Sequence, residues 1–433
     1  MRRGPKNLKI SFSGKTLTHF GGLYLLQKFF QKINLRSLFS QYVHFLQRNN
    51  RYSVVEELLA LIYPIALGLG RIETSHLLKH NGVFQYLTGL PTYPNPTTLR
   101  RFLLRMAPLA LPRLRRLHDR LLLSMILKPS PPTRVIFDLD STVITLYGKQ
   151  EMARIGYNPQ KWGRPSYHPL LCFNGMTQDF WHGELRPGDT HTATGITELL
   201  EASFAKLPLS VKNVTIRADK GFYDHKTIEY LEPRKALFVI VARLTQPIKR
   251  TLSGLSYQNH SSGIETSEFL YQPWGWEKKY RFVVIRRPIP EDPTEQLTLF
   301  SMGKHSYQVL VTNMTLTPLN IWRFYNGRAA AELIIKELKG NYPLGKIPTK
   351  HFAANEAYFH TLLLAYNLIN WFKRLCLPTE FATMTLRTLR SRLLLIPGEL
   401  IRSDNRPTLK LPANFLYRET FDHALKMIHQ FKL

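Results

Sequence analysis

Arg134-Val135-Ile136-Phe137-Asp138-Leu139-Asp140-Ser141-Thr142-Val143-Ile144-Thr145 is a β-branched and apolar run with two carboxylates inside it. That composition predicts a strand. Residues two apart on a strand point to the same face. Asp138 and Asp140 therefore stand side by side, while Phe137, Leu139 and Ser141 face the other way. Two neighbouring carboxylates repel each other, a cost that a cation removes. A pair at a solvated strand end is the plainer reading of the same residues.

Outward from this run the pattern changes on both sides. Upstream, Pro129, Pro131 and Pro132 mark a linker. Downstream, strands alternate with helices: a second strand over 167–176, a helix over 194–207, a strand over 214–218, a helix over 225–231 and a strand over 238–241. This βββαβαβ order predicts an α/β sheet with helices on its faces. From about 244 to 312 the helical pattern gives way to short segments such as 280–285 and 307–311, set among Gly, Pro, Ser and Asn. Helical periodicity returns over 320–339 and 355–374. The C-terminal part carries Arg387, Arg390 and Arg392, a hairpin signal around Pro397-Gly398, and an amphipathic helix near 418–431. There is no internal repeat and no low-complexity tract.

The charge is one-sided. Lys and Arg total 59 against 30 acids, a formal +29, with 44% hydrophobic residues. A field this positive points to a polyanionic partner, nucleic acid or an anionic membrane. The most apolar stretch, 362–369, is interrupted by Tyr366 and Asn367 and falls short of the ~20 residues of a spanning helix. The N-terminus lacks the apolar core of a signal peptide. Cys172 and Cys376 give neither a disulfide framework nor a zinc site. An intracellular protein without a membrane partner is expected.

No acid precedes Glu56, whereas ten Lys or Arg lie between Arg2 and Arg51. Residues 54–127 read as helices: an apolar one over 54–69 ending at Gly68 and Gly70, another starting at 74–79, and a marked start at Asn95-Pro96, with Asn95 as N-cap and Pro96 at the first helical position. The last of these carries Arg100, Arg101 and Arg105 on its polar side and Leu99, Phe102 and Leu103 on the other. It fits the DNA-facing helix of a helix-turn-helix, and equally a solvated basic helix in a bundle.

Two further carboxylates stand out. Asp219, in Val214-Thr215-Ile216-Arg217-Ala218-Asp219-Lys220-Gly221-Phe222, closes a strand just before a glycine turn, where open α/β sheets place functional groups. Asp before Gly is also an ordinary turn. On the helix expected over 320–339, about 100° per residue puts Tyr325, Arg328, Glu332 and Lys339 within an arc of roughly 60°. Lys336 joins that face, and Ala330, Ala331, Ile334 and Leu338 form the buried stripe. Pairs four apart, Arg328 with Glu332 and Glu332 with Lys336, also suit a salt-bridged surface helix.

The spacing Tyr325-x2-Arg328-x3-Glu332-x6-Lys339 resembles the Y-R-E-K signature of a large group of bacterial insertion-sequence transposases with an Asp-Asp-Glu active site. Asp138-x-Asp140-Ser141-Thr142, Tyr147-Gly148-Lys149-Gln150, His168-Pro169-Leu170, Leu185-Arg186-Pro187-Gly188 and Arg217-Ala218-Asp219-x-Gly221-Phe222 resemble the rest of that catalytic domain, over roughly 130–430. The resemblance implies a ribonuclease-H-like mixed sheet flanked by helices, with a β-rich insertion between the second Asp and the Glu and a helical DNA-binding region ahead of it. The expected layout is 1–128 basic and helical, 129–243 first part of the catalytic domain, 244–312 insertion, 313–376 rest of the catalytic domain, and 377–433 a basic C-terminal region.

By the same resemblance Asp140, Asp219 and Glu332 are the catalytic residues and ligands of two divalent ions, Mg²⁺ or Mn²⁺. Tyr325, Arg328, Lys336 and Lys339 would meet DNA phosphates, together with Arg100, Arg101 and Arg105. The implied partner is double-stranded DNA, transposon ends and target, bound by a homodimer in a synaptic complex at the bacterial nucleoid. Relatives with this signature often form a hairpin at the freed end, which makes Trp274, Trp276 and Trp322 candidates for holding a flipped base; core packing is the alternative for each. Two rivals stand beside this reading. Phe137-Asp138-Leu139-Asp140-Ser141-Thr142 also fits the D-x-D-x-T motif of haloacid-dehalogenase-type phosphatases, with Asp138 as nucleophile. A DNA-binding protein that has lost catalysis is the other.

Overall fold

The computed structural model describes residues 10–12, 14–47, 51–260, 263–289, 300–302 and 304–432. The chain divides into two compact units, 1–110 with 371–433, and 111–370. Arg2, Arg3, Lys6, Lys9 and Arg48, and parts of the segment expected to be an insertion, lie outside the described residues.

In the first unit the leading helices are Leu23–Lys32 (α1) and Val54–Leu67 (α2), and Pro96 opens the long helix Pro96–Ile126 (α3), whose residues from Leu111 on, His118 among them, belong to the second unit. Ser53 and Glu56 start α2 as a reciprocal cap: the Ser53 hydroxyl accepts from Glu56 N–H, and the Glu56 carboxylate accepts from Ser53 N–H at 2.7 Å. The helix expected at 74–79 is a 3₁₀ helix, Ile72–His80. The C-terminal hairpin pairs Gly398–Ser403 with Arg406–Lys410, but its turn is not at Pro397-Gly398. It lies at Asp404 and Asn405, whose φ of 49° and 59° suit a tight two-residue reversal. Pro397 instead leads the chain into the first strand.

The second unit is built on a ten-stranded sheet. Its strands in chain order include Arg134–Ser141 (β1), Leu170–Asn174 (β2), Phe180–Glu184 (β3), Asn213–Ala218 (β4), Leu237–Val241 (β5), Gln258–His260 (β6), Ile264–Tyr271 (β7), Tyr280–Pro288 (β8) and His305–Thr312 (β9). Their order is β6-β7-β8-β9-β5-β4-β1-β2-β3, and Phe300–Met302 pairs with β9 off this path. β1, β2 and β3 form an antiparallel meander, whereas β4 runs parallel to β1 and β5 parallel to β4. Helices Ile196–Phe204 (α4) and His225–Leu231 (α5) make the two crossovers. This is a mixed α/β sheet flanked by helices, compatible with a ribonuclease-H-like core.

β1 stops at Ser141, and Ile144–Thr145 joins a separate three-stranded sheet with Arg154–Ile155 and Pro165–Tyr167. The strand expected over 167–176 breaks at Pro169, which has no N–H for a ladder. Beyond β5 the chain forms a helix, Gln246–Ser253, where none is expected. Pro247 starts it, and Ile248 and Leu252 bury one face four residues apart. Strands β7, β8 and β9 then extend the same sheet. Helix Pro318–Asn326 (α6) packs on β8 beside a core of Val239, Val283, Ile285, Leu310 and Ile321, Ala329–Gly340 (α7) follows, and Phe352–Cys376 (α8) is buried along most of its length.

Candidate active site

Asp140 lies near the carboxyl end of β1 and Asp219 directly follows β4. The two strands are parallel neighbours, so both carboxylates emerge at the same edge of the sheet. Glu332 lies in the first turn of α7. All three face one guanidinium. Arg328 Nη1 donates to Glu332 Oε1 at 2.8 Å, and Nη2 lies 3.0 Å from Asp140 Oδ2 and 4.0 Å from Asp219 Oδ2. Its Nε points to the carbonyl of Leu139 in β1 at 3.4 Å. Arg328 is only 4% exposed.

Exposure rises from Asp140, 7% exposed, to the Asp219 and Glu332 side chains at 40% and 65%. Burial pushes the Asp140 carboxyl up to about 6; Arg328 opposes this, and the charges of Asp219 and Glu332 add to it. Ser141 N–H donates to Asp140 Oδ1 at 2.8 Å, and Gly221 N–H to Asp219 Oδ1 at 2.8 Å, which fixes both carboxylates. His168 steadies the Asp140 turn from behind: its ring bonds the Ser141 hydroxyl at 3.1 Å and the Thr190 carbonyl at 2.9 Å, and burial lowers its pKa. For Arg328, burial works against the charge, but Asp140, Tyr325, Asp219 and Glu332 outweigh it and hold the cation.

Asp219, Arg328 and Glu332 line a cleft of ≈ 750 Å³ whose wall also includes Lys220, Arg243 and Lys249. Acidic and basic side chains thus share one cleft, and the basic ones can attract a polyanion. These three cations were not singled out from the sequence; Lys220 and Arg243 come together only because β4 and β5 are parallel neighbours, Arg243 Nε pointing to the Lys220 carbonyl at 3.5 Å.

The helix carrying Tyr325 and Glu332 is not continuous. Around Gly327 the backbone bonds tighten to a three-residue reach, with Arg328 N–H to Tyr325, Ala330 N–H to Gly327 and Ala331 N–H to Arg328. Tyr325 is buried against the core and reaches the cleft wall, and burial raises its phenol to about 12. Lys336 and Lys339 are exposed on the helix; the protein packed around Lys339 lowers its ammonium pKa, and the Asp140 carboxylate opposes this without cancelling it. The expected Arg328–Glu332 pair is present, but Arg328 is buried among acids instead of lying on a solvated face. In the first unit Arg101 is exposed, Arg100 pairs with Glu73, and Arg105 Nη2 approaches Glu57 at 3.5 Å. Leu99, Phe102 and Leu103 are buried, as the amphipathic pattern requires.

Asp138 stands beside Asp140, and the cation that relieves their repulsion is Arg217 on β4. Arg217 Nε donates to Oδ1 at 2.6 Å and Nη2 to Oδ2 at 2.7 Å. Both oxygens are thus taken in a pair only 1% and 4% exposed, which leaves Asp138 no free face for nucleophilic attack. Trp274 is 97% exposed, Trp276 stacks on His225 with ring centroids 5.2 Å apart, and Trp322 lies under the Arg287 guanidinium. Among the described residues, no three His, Cys, Asp or Glu side chains are grouped closely enough to hold an ion as they stand. No helix among them is long and apolar enough to cross a membrane.

Fold and site together define an α/β protein with three acids gathered at the carboxyl edge of its parallel strands. The chain belongs to the family described as transposase DDE domain, group 1, whose model matches residues 2–433. No curated protein matches it in sequence. Among solved structures it is similar to the piggyBac transposase in a synaptic complex with hairpin DNA, with a TM-score of 0.40 and 13% identity over 86% of this chain and 85% of that one.

Proposed function

We propose that this protein is a DNA transposase of a bacterial insertion sequence, of the Y-R-E-K signature group, that cuts and joins DNA at the ends of its element. The observation that carries the proposal is the convergence of Asp140, Asp219 and Glu332 on the single Arg328 guanidinium in a chain of the DDE transposase family. Three carboxylates around one buried cation form a nest for positive charge, and hard oxygen donors of this kind suit Mg²⁺ or Mn²⁺. Asp140, Asp219 and Glu332 would hold two such ions. Bound there, divalent ions supply an activated water, a stabilised leaving 3′ oxygen and neutralised phosphate charge.

The chain's own residues supply the rest. Arg328 compensates the acids and is the nearest fork for a phosphate entering the nest. Lys336 and Lys339 offer exposed point charges on α7, and Tyr325 closes the floor of the cleft. Lys220, Arg243 and Lys249, which line the same cleft, would draw the DNA backbone into it. Arg100, Arg101 and Arg105 would bind element ends from the first unit, with a homodimer joining two ends. The phosphatase alternative loses its nucleophile in the Asp138–Arg217 pair.

The test is strand cleavage at element termini by purified protein with Mg²⁺ or Mn²⁺. Asp140→Asn, Asp219→Asn and Glu332→Gln should each abolish cleavage and leave end binding intact. Retained cleavage in any one of them would remove that residue from the site, and an inactive wild type that still binds ends would favour the decayed-element reading.

A further inference from the structure

Arg217 uses its guanidinium three ways. The fork of Nε and Nη2 is closed by Asp138, its register partner on β1. The remaining nitrogen, Nη1, donates to the carbonyl of Phe324 at 2.9 Å, and the guanidinium lies 5.2 Å from the Phe324 ring centroid. Phe324 is in the last turn of α6, where a cation is favoured, and its carbonyl accepts from Gly327 N–H at 3.3 Å as well as from Arg217. Two glycines make room for this. A Cβ on Gly327 would run into Arg217 Nη1, and one on Gly175 would stand 2.6 Å from Asp138 Oδ2. The same Gly327 begins the tightened joint from which Arg328 and Glu332 follow.

We propose that the Asp138–Arg217 pair is a positioning latch for the third carboxylate. It grips the end of α6 from the sheet and so sets the joint that aims Arg328 and Glu332 at Asp140 and Asp219. The inference rests on the reading that Glu332 completes the cation site. A buried ion pair is a poor source of net stability, since apolar groups of the same volume often serve as well. What it does supply is a fixed distance and direction between β1, β4 and α6. Asp138 and Arg217 are positioning residues and do not touch the reacting atoms.

The test uses full-length Asp138→Asn and Arg217→Lys, which remove the carboxylate charge and the three-way fork respectively. Hydrogen–deuterium exchange in metal-free protein should accelerate over 325–335 while β2 and β5 keep wild-type protection. Mn²⁺ binding, followed by electron paramagnetic resonance without DNA, should weaken about 10–100-fold. Arg217→Lys combined with Glu332→Gln should lose no more Mn²⁺ affinity than Glu332→Gln alone, because both act through one carboxylate. Unchanged exchange at 325–335, or additive losses in the double variant, would overturn the latch. If neither variant folds, Gly327→Ala keeps both charges while crowding Nη1 off the Phe324 carbonyl. It must then give the same local exchange signature, and wild-type exchange in it would overturn the latch. Failure of the parent reading looks different: wild type would bind no Mn²⁺, whereas the exchange result needs no metal.

Discussion

At the scale of single residues, Arg328 carries the largest consequence. It is buried, and Asp140 beside it is buried as well. Removing one member of a buried pair leaves the other charge uncompensated, at about 3–5 kcal/mol. Arg328→Met should therefore lower stability by about that amount in metal-free protein, read from urea unfolding, and millimolar Mn²⁺ should restore part of the loss by replacing the missing cation. A variant as stable as wild type would mean that solvent already screens the three acids. The sequence could name Asp140, Asp219, Arg328 and Glu332 as residues worth watching, because strand ends and helical spacing are local properties. It could not tell a surface pair from a buried one. Arg328 to Glu332 is four residues apart in either case, and only the β1 carbonyl of Leu139 and the Asp140 carboxylate, far away in the chain, decide which it is. Arg217 was hidden for the same reason: its partners Asp138 and Phe324 come from opposite sides of the sheet's insertion.

Among elements, the alternation of strands and helices in the core was legible because each carries its own periodicity, though not which strands run parallel; His225–Leu231 and the strand after it lie where the pattern put them. The break between α6 and α7 was not. Arg328 and three consecutive alanines, 329–331, follow Gly327, and a lone glycine costs a helix only about 1 kcal/mol, so local propensity favours continuity. A second non-local feature is the packing of α3, β3 and α8 through histidines. Asn367 Nδ2 donates to His118 Nε2 at 2.8 Å, and the same side chain bonds both backbone groups of Phe180 on β3. Lys206 donates to His182 Nδ1 at 3.0 Å. Burial and then Lys206 lower His118 to about 3 and His182 to about 2, and burial, followed by Arg115, holds His360 well below its usual range. These groups are neutral when folded, and each ring bond above needs the neutral form. Depressed histidines bind protons in the unfolded chain first, so stability is intact above about pH 6.5 and falls as pH drops toward 3. The two most deeply buried, His118 and His360, should together give a slope of about 3 kcal/mol per pH unit below the unfolded pKa. The raised Glu57 and Asp140 carboxyls take up protons in the folded protein over the same range and oppose this contribution, so the check is a comparison. Unfolding midpoints should fall more steeply between pH 6.5 and 5 in wild type than in His118→Gln, and equal slopes would show that this ring already carries a proton in the folded protein.

On the scale of the whole molecule, the first unit is assembled from both ends of the sequence. Phe29 on α1 packs against Phe372 and Phe431, with ring centroids 5.7 and 6.2 Å away. Leu17–Thr18 pairs with the strand Gly398–Ser403, and Gly21 N–H donates to the Ile396 carbonyl at 2.8 Å. Arg390, itself buried, caps α2: its Nε and Nη2 donate to the carbonyls of Ala66 and Ile65 at 2.8 and 2.7 Å, adding to the bond that Ile65 already accepts from Gly68 N–H. None of this is legible along the chain, because composition and periodicity report which face of a helix is apolar and not which distant segment covers it. The consequence bears on how end binding can be assigned. A fragment of residues 1–130 retains Arg100, Arg101 and Arg105 but loses Phe372, Arg390 and Phe431, so the apolar faces of α1 and α2 are left open to water. Each large apolar side chain uncovered costs about 1.5–3 kcal/mol, and several such losses exceed the stability of an ordinary domain. The fragment should show no cooperative thermal transition by circular dichroism and should associate through its exposed helices, while the full chain melts cooperatively. Loss of end binding in that fragment would then report unfolding and say nothing about the three arginines, whose contribution is read by Arg100→Ala, Arg101→Ala and Arg105→Ala in the full chain. A fragment that melts as sharply as the full protein would show that 371–433 is dispensable to the first unit's core.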